Sequence, residues 1–221
     1  MEHIVPILSI TPITHNVKQI RIKKPSNYQF VPGQATEVSI NKENWREEKR
    51  PFTFTCLEDE PYLEFVIKSY RDHPGVTNEI DQLKAGDELV VRDVWGAIQY
   101  QGEGYFIAGG AGITPFIAIL RKLKRDNAVG NNRLFFSNRT ARDIILKDEL
   151  TGILGERATF ILTEEDQEKK KSIRINEEYL LKNVTDFKTH FYICGPDVMV
   201  SELNQLLIKL GARPDLVVFE K

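Results

Sequence analysis

The fold of the second half of the chain is decided by the segment FIAGGAGITP, residues 106–115. A short apolar run predicts a buried strand, a glycine cluster follows it, and Pro115 stands where the first turn of a helix would begin. Glycines allow a backbone to approach a ligand closely, and a helix N-terminus attracts a pyrophosphate group. The spacing is not that of the G-x-G-x-x-G fingerprint, so the segment alone also fits a tight turn without a ligand.

Strands alternate with helices after this segment, which predicts a parallel sheet wound with helices. The predicted strands cover residues 105–108, 134–136, 159–162 and 191–194, and the predicted helices cover residues 115–125, 141–152 and 197–210. Ligands of such sheets bind outside the carboxyl ends of the strands. We therefore expect Cys194, Gly195 and Pro196, which end the fourth strand, to share one edge with the glycine cluster. Taken alone, Cys194 also fits a small buried hydrophobe.

The first hundred residues show a different pattern, of short segments rich in β-branched residues that are separated by turn signals. Strands are predicted at residues 5–10, 17–22, 62–68 and 88–93, and one short helix is predicted within residues 75–83. This spacing favours an antiparallel barrel or sandwich. The glycine-containing segment 101–104 is a plausible linker, so we predict one domain at residues 1–101 and a second at residues 102–221.

The run KRPFTFT, residues 49–55, combines a cation, an aromatic ring and a hydroxyl in a strand-like segment. Arg50 could pair with a phosphate, Phe52 could lie against a flat ring, and Thr53 could bond to a ring nitrogen. An ordinary strand with one exposed arginine fits the run equally well when it is taken alone.

Composition narrows the class of protein. Hydrophobic residues make up 41% and charged residues 28% of the 221 positions, and the net charge is -2. Such values fit a globular domain and give no basic excess for nucleic acid or an anionic membrane. Neither a signal peptide nor a run of about 20 apolar residues is present, so we expect a cytoplasmic protein without membrane contact. Two cysteines are too few for an iron–sulfur cluster, and no metal site is expected.

Five segments in this order resemble the ferredoxin–NADP reductase superfamily across almost the whole chain. They match the motifs F-x-P-G-Q, R-x-Y-[ST], G-x-[ST], G-G-x-G-[IV]-[TS]-P and C-G-P, and they lie at residues 30–34, 50–53, 75–77, 109–115 and 194–196. The NADH-dependent cytochrome reductases and the short ferredoxin or flavodoxin reductases are similarly close. The resemblance implies an antiparallel β-barrel that binds flavin, followed by an α/β domain that binds a nicotinamide dinucleotide.

The resemblance also implies the roles of particular residues. Thr53, near flavin N5, and Cys194, near the nicotinamide, would lie where hydride passes. The implied cofactor-binding residues are Arg50, Pro51, Phe52, Thr53, Val66, Lys68, Gly75, Val76, Thr77, Gly109, Gly110, Gly112, Thr114, Pro115, Ser137, Arg139, Cys194, Gly195 and Pro196.

Three departures from the family pattern are present. Phe52 replaces the commoner tyrosine, which keeps stacking and loses a hydroxyl. The sequence 94–96, Val-Trp-Gly, stands where G-P-x-G is common. At the C-terminus, Phe219 or Glu220 could lie over the flavin, and an ordinary final strand fits at least as well.

The expected activity is electron transfer from NADPH or NADH, through bound FAD, to a separate acceptor such as ferredoxin or flavodoxin. FAD is favoured over FMN. A free flavin reductase and a flavin-holding subunit of a larger complex are the alternatives. For NADPH against NADH the signals conflict, because Arg139, Arg174 and residues 169–171 are basic while residues 164–166 are acidic. Oligomeric state is left open.

Overall fold

The computed structural model describes residues 1–70, 75–164 and 174–219. The chain divides into two compact units, one of residues 1–96 with 114–122 and the other of residues 97–113 with the chain from Leu123 onward. None of the helices in the described ranges combines the length and the apolar character that a bilayer span requires.

The first unit is an antiparallel barrel, as the turn spacing predicts. Its strands are β1 (His3–Thr14), β2 (Val17–Lys23), β3 (Ala35–Ile40), β4 (Arg50–Thr53), β5 (Tyr62–Lys68) and β6 (Glu88–Trp95), with one short helix, α1 (Val76–Ile80). They pair in the order β4-β3-β6-β1-β2-β5. A bridge between Phe54 and Phe65, just beyond β4, joins the two ends of this sheet.

Alternate residues of each strand point into the barrel, whose core combines aliphatic side chains with aromatic rings. Phe54 and Phe65 are fully buried, and the ring of Phe30 stacks on Phe54 at 4.3 Å between centroids. Strand β3 also carries two buried hydroxyls, both hydrogen-bonded to Arg92. Thr36 Oγ1 donates to the carbonyl of Arg92 at 2.9 Å, and Ser39 Oγ accepts from the Arg92 guanidinium at 3.0 Å.

The second unit is a parallel sheet wound with helices, which confirms the predicted class. Its strands are β7 (Gly104–Gly109), β8 (Arg133–Asn138), β9 (Ala158–Leu162), β10 (His190–Cys194) and β11 (Val217–Phe219). The helices of this half of the chain are α2 (Thr114–Arg125), α3 (Lys147–Leu154), α4 (Glu177–Asn183) and α5 (Asp197–Lys209). The order β11-β10-β7-β8-β9 reverses direction at β7, and that reversal creates a crevice at the carboxyl ends of the strands.

The single helix predicted at residues 141–152 is wrong. The structure has a short 3-10 turn at Ala141–Asp143, and α3 begins only at Lys147. Leu146 interrupts the run because its backbone is left-handed, with φ 50° and ψ 41°. The charged segment that contains α4 gave no helix signal; Asn176 starts this helix by accepting from the Tyr179 amide at 2.9 Å.

Candidate functional site

The glycine segment and the Cys-Gly-Pro segment lie against each other in the α/β unit, as their strand ends predict. Strands β7 and β10 are adjacent and parallel, with Ala108 opposite Cys194. A Cβ atom added to Gly112 would lie 2.3 Å from the carbonyl oxygen of Cys194, which is far inside van der Waals contact. A Cβ added to Gly195 would lie 3.2 Å from the Gly109 Cα. The close approach of the two backbones therefore requires glycine, above all at position 112.

The turn itself leaves its backbone open. Gly110 has φ 53°, a left-handed conformation that favours glycine, and an added Cβ would meet nothing within 4 Å. A short 3-10 turn, Gly110–Ile113, leads directly into α2, whose first two residues are Thr114 and Pro115. Backbone amides at this edge can therefore be approached by a diphosphate without a side chain in the way.

A pocket of about 290 Å³ lies at the carboxyl ends of β8 and β9 and beside the start of α5. It is lined by Ser137, Thr163, Arg174, Ile175, Pro196, Val198, Met199 and Glu202. Its size and its mixture of apolar and polar groups fit a nucleoside portion of a dinucleotide. Ser137 and Pro196 are in the predicted set; Val198, Met199 and Glu202 are not, although they lie within the two turns of α5 that follow Pro196.

Arg139 is not among the residues that line this pocket. Its Nε lies 3.4 Å from a Glu164 carboxylate oxygen, and the side chains of both residues are more than half exposed. The basic and acidic residues of segment 165–173, which the sequence placed beside the nucleotide, lie outside the described residues. Arg174 and Glu202 thus bring one charge of each sign to the described pocket.

The segment predicted to bind flavin, residues 50–53, forms strand β4. This strand pairs with β3 along one side, from Ala35 opposite Thr53 to Val38 opposite Arg50. On its other side the described residues show a single bridge, that between Phe54 and Phe65, beyond the strand end. The edge of β4 can therefore offer backbone groups to a ligand.

The side chains of β4 differ in exposure. Arg50 is half-exposed, donates to its neighbour's carbonyl at 2.6 Å and lies 3.8 Å from Glu48. Pro51 is exposed and Thr53 is half-buried. Phe52 is half-buried and packs on the barrel core, with 6.3 Å between its ring centroid and that of Phe65. An exposed guanidinium beside a half-buried ring and hydroxyl fits a phosphate-bearing aromatic cofactor.

The remaining predicted flavin residues follow on β5 and α1. Val66 is buried and Lys68 is half-buried near the end of β5. Gly75 lies directly before α1, which begins at Val76 and includes Thr77 in its first turn. Among the described residues nothing lies within 4 Å of a Cβ added to Gly75, which leaves space for a ligand on that side of the turn.

A buried ionic cluster, which no sequence motif predicts, lies directly beside these strands. Glu64 on β5 is only 1% exposed. Its carboxylate accepts from Arg121 of α2 at 2.6 Å, from Arg21 of β2 at 2.9 Å and from the Thr55 hydroxyl at 3.0 Å. Burial raises the pKa of Glu64, but the two guanidiniums and the hydroxyl outweigh it and hold that pKa below 4.5.

The family departures are also visible. Strand β6 ends at Trp95, and Gly96 turns the chain with φ 129°. Phe219 lies in β11, opposite Ile193, and packs partly on the core of the α/β unit, as expected for a final strand. Glu220 lies outside the described residues.

Comparison with known proteins agrees with this arrangement. Residues 5–100 match the oxidoreductase FAD-binding domain, and residues 106–205 match the oxidoreductase NAD-binding domain. The chain is 30% identical over 208 residues to NADH-cytochrome b5 reductase 2-A of Vanderwaltozyma polyspora, an alignment that covers 86% of this chain and 70% of that protein.

Two further relatives extend the likeness. The reductase component of propane 2-monooxygenase from Rhodococcus jostii is 26% identical over 97% of this chain, which spans 62% of that relative's length. The structure of a ferredoxin NADP+ reductase from Neisseria gonorrhoeae with bound FAD and NADP superposes with a TM-score of 0.81. That match covers 99% of this chain and 98% of the other at 21% identity, and it supports the fold alone.

Proposed function

The chain belongs to the ferredoxin–NADP reductase superfamily, as an oxidoreductase that binds FAD and a nicotinamide dinucleotide, and we propose that it passes electrons from NADH through FAD to a separate one-electron acceptor protein. The observation that carries this proposal is the close approach of Gly112 to the Cys194 carbonyl at the sheet edge, which only glycine allows. In the same chain, the edge strand β4 of the barrel carries Arg50, Phe52 and Thr53. One unit is thus built to admit a dinucleotide, and the other is built to hold a flavin.

Bound FAD would supply the conversion of two-electron into one-electron chemistry. It would take up a hydride from the dihydronicotinamide and a proton from solvent. It would return two electrons, one to each of two acceptor molecules, and release two protons. The protein would supply position and electrostatics. Arg50 would neutralise the flavin diphosphate after exchanging its contact with Glu48. Phe52 would pack on the isoalloxazine ring, and the hydroxyl of Thr53 would donate a hydrogen bond near N5.

The dinucleotide side would depend mainly on backbone. Gly109, Gly110 and Gly112 would admit the diphosphate, and the pocket beside Ser137 and Pro196 would take the adenosine portion. Cys194 ends β10 with a half-buried thiol, and it would lie beside the nicotinamide. The hydride step itself requires no general base, and the protons that FAD takes up and releases would exchange with solvent.

The acceptor is proposed from chemistry and from the relatives' names. The relatives above are a cytochrome b5 reductase and the reductase component of a monooxygenase. A haem protein or an oxygenase component is therefore better supported as the acceptor than a ferredoxin or a flavodoxin. Steady-state reduction of cytochrome b5, a ferredoxin and a flavodoxin by NADH, each at the same concentration, would rank them.

Anaerobic titration tests the proposal. The purified protein should show the absorbance bands of bound flavin, and NADH should bleach them. Loss of the flavin on purification, with rapid reduction of added free FAD, would instead identify a free flavin reductase. Bleaching by NADH without transfer to any protein acceptor would favour a subunit that works only in a larger complex. A colourless protein that takes up no added FAD would overturn the proposal.

We propose NADH over NADPH because Glu202 lines the described pocket beside Arg174. The attraction of Arg174 for a 2′-phosphate would be offset by this carboxylate. We expect Glu202→Gln to raise the ratio of kcat/KM for NADPH to that for NADH by roughly 3-fold to 10-fold. The matched control is Glu178→Gln, an exposed carboxylate of α4 outside the pocket. Equal ratios in the two variants would contradict the assignment.

A further inference from the structure

The ionic cluster around Glu64 joins the two strands that carry the predicted flavin residues. Glu64 precedes Val66 and Lys68 on β5, and Thr55 lies two residues after Thr53 at the end of β4. The two segments are tied directly, because the Thr55 amide donates to the Glu64 carbonyl at 2.9 Å and the Thr55 hydroxyl donates to its carboxylate at 3.0 Å.

Helix α2 enters the same cluster through Arg121. One guanidinium nitrogen of Arg121 donates both to the Glu64 carboxylate at 2.6 Å and to the Thr55 carbonyl at 2.7 Å. Arg121 is seven residues after Thr114, the first residue of the helix, which places the two about 10 Å apart and on the same face. Residues 114–122 belong to the compact barrel unit, so this contact lies inside one unit.

Apolar packing cannot fix this helix as tightly as the ion pair can. The residues of α2 from Phe116 to Leu120 are all buried, so the first half of this helix is surrounded by apolar packing. Hydrophobic burial has no preferred direction and tolerates small slides and rotations of a helix. A charge-assisted hydrogen bond of 2.6 Å to a buried carboxylate restricts both the slide and the rotation.

We propose that Arg121 is a positioning residue: its ion pair with Glu64 fixes α2 against the flavin-bearing strands, and thereby sets the rate of flavin reduction by the dihydronicotinamide. The inference rests on the proposed function. Arg121 touches neither substrate nor cofactor in this scheme. It acts through Thr114, which begins the same helix and is one of the predicted cofactor-binding residues. Misplacing a reacting group by about 1 Å can lower a rate by about 100-fold, so a small slide of the helix start is sufficient.

The cluster contains its own matched control. Arg21 donates to the same carboxylate at 2.9 Å, but from β2 rather than from α2, and it lies directly opposite Glu64 in the sheet. Replacing either arginine removes one positive charge from the same buried anion. Only the replacement of Arg121 releases the helix.

The experiment is anaerobic stopped-flow reduction of the FAD-loaded full chain by NADH and by NADH deuterated at the transferred position. For Arg121→Gln we expect unchanged FAD content, an apparent Kd for NADH within about 2-fold, and a limiting reduction rate lowered about 10-fold or more, with the deuterium isotope effect retained. For Arg21→Gln we expect a rate within about 2-fold of wild type, because the helix remains anchored. A purely structural role would slow both variants together or reduce FAD retention.

Arg121→Lys keeps the test decisive if Arg121→Gln does not fold. Lysine keeps the charge but replaces the planar guanidinium, so we expect a rate about 3-fold below wild type at the same FAD content. A wild-type rate in Arg121→Lys, or equal rates in the Arg121 and Arg21 variants, would overturn the role of Arg121. Bound FAD that NADH leaves oxidised in the wild-type protein would instead overturn the proposed function.

Discussion

In the proposed scheme the two units would hold their ligands by opposite means. In the α/β unit the site is backbone, and Gly112 is placed where any side chain would collide with the Cys194 carbonyl. In the barrel the site is built of side chains on the edge strand β4, with the buried charge of Glu64 beneath them. We therefore expect the backbone site to be disrupted by an added atom at Gly112, and the side-chain site to lose single groups while the fold is kept.

The sharpest test of this contrast is Gly112→Ala. The added methyl group would lie 2.3 Å from a backbone oxygen, so the glycine turn or β10 has to move. We expect the rate of flavin reduction at a fixed, subsaturating NADH concentration to fall by about 100-fold or more, with FAD content retained. Gly152→Ala, at a position where an added Cβ meets nothing within 4 Å, serves as the control and should keep the wild-type rate. Loss of FAD in Gly112→Ala would contradict the separation of the two sites.

The barrel's counterpart is Glu64→Gln, which removes a buried charge and keeps the shape. Two guanidiniums would lose their anion, and we expect the free energy of unfolding at pH 7 to fall by about 2–4 kcal/mol; the range starts low because Arg21 is 41% exposed. The pKa of Glu64 is lowered in the folded protein, so its stabilisation is complete above about pH 4.5 and is lost as the pH falls through the folded value.

Urea unfolding of the FAD-saturated proteins at pH 7 and at pH 4 measures this difference. The gap between wild type and Glu64→Gln should narrow at the lower pH. Glu178→Gln, an exposed carboxylate of the other unit, should show almost no gap at either pH. A gap of constant size would mean that Glu64 contributes through packing rather than through its charge.

The same contrast explains what could be predicted from the sequence. The glycine turn is predictable from the sequence, because a backbone position that requires glycine is occupied by glycine. Strand β3 is not predicted, because its buried positions include the hydroxyl residues Thr36 and Ser39 and the segment therefore lacks a clear apolar run. The pair of Glu64 and Arg121 was also not found, since residues 57 positions apart in the chain read separately as solvated charges.

Thr53→Val tests whether one side-chain group of the barrel site can be removed while the fold is kept. Valine keeps the shape and the strand preference but removes the hydroxyl that we place near flavin N5. We expect the rate of flavin reduction to fall by about 10-fold, with unchanged FAD content, in stopped-flow measurements with NADH. Thr11→Val, an exposed position of β1 in the same barrel, is the control. Coinciding traces for wild type and Thr53→Val would remove Thr53 from the reaction.

The smallest expected effect comes from a glycine of the α/β unit that serves no ligand. Gly152 lies inside α3, is exposed, and has open space where a Cβ would stand. Alanine should therefore stabilise the helix, and we expect the free energy of unfolding to rise by about 0.5–1 kcal/mol in urea titrations, with no change in the reaction with NADH. A loss of stability would indicate that Gly152, like Gly112, is needed for its backbone. A gain would separate Gly152 from Gly112 and Gly104, where an added Cβ would lie 2.3 Å and 2.0 Å from a backbone oxygen of the neighbouring strand β10.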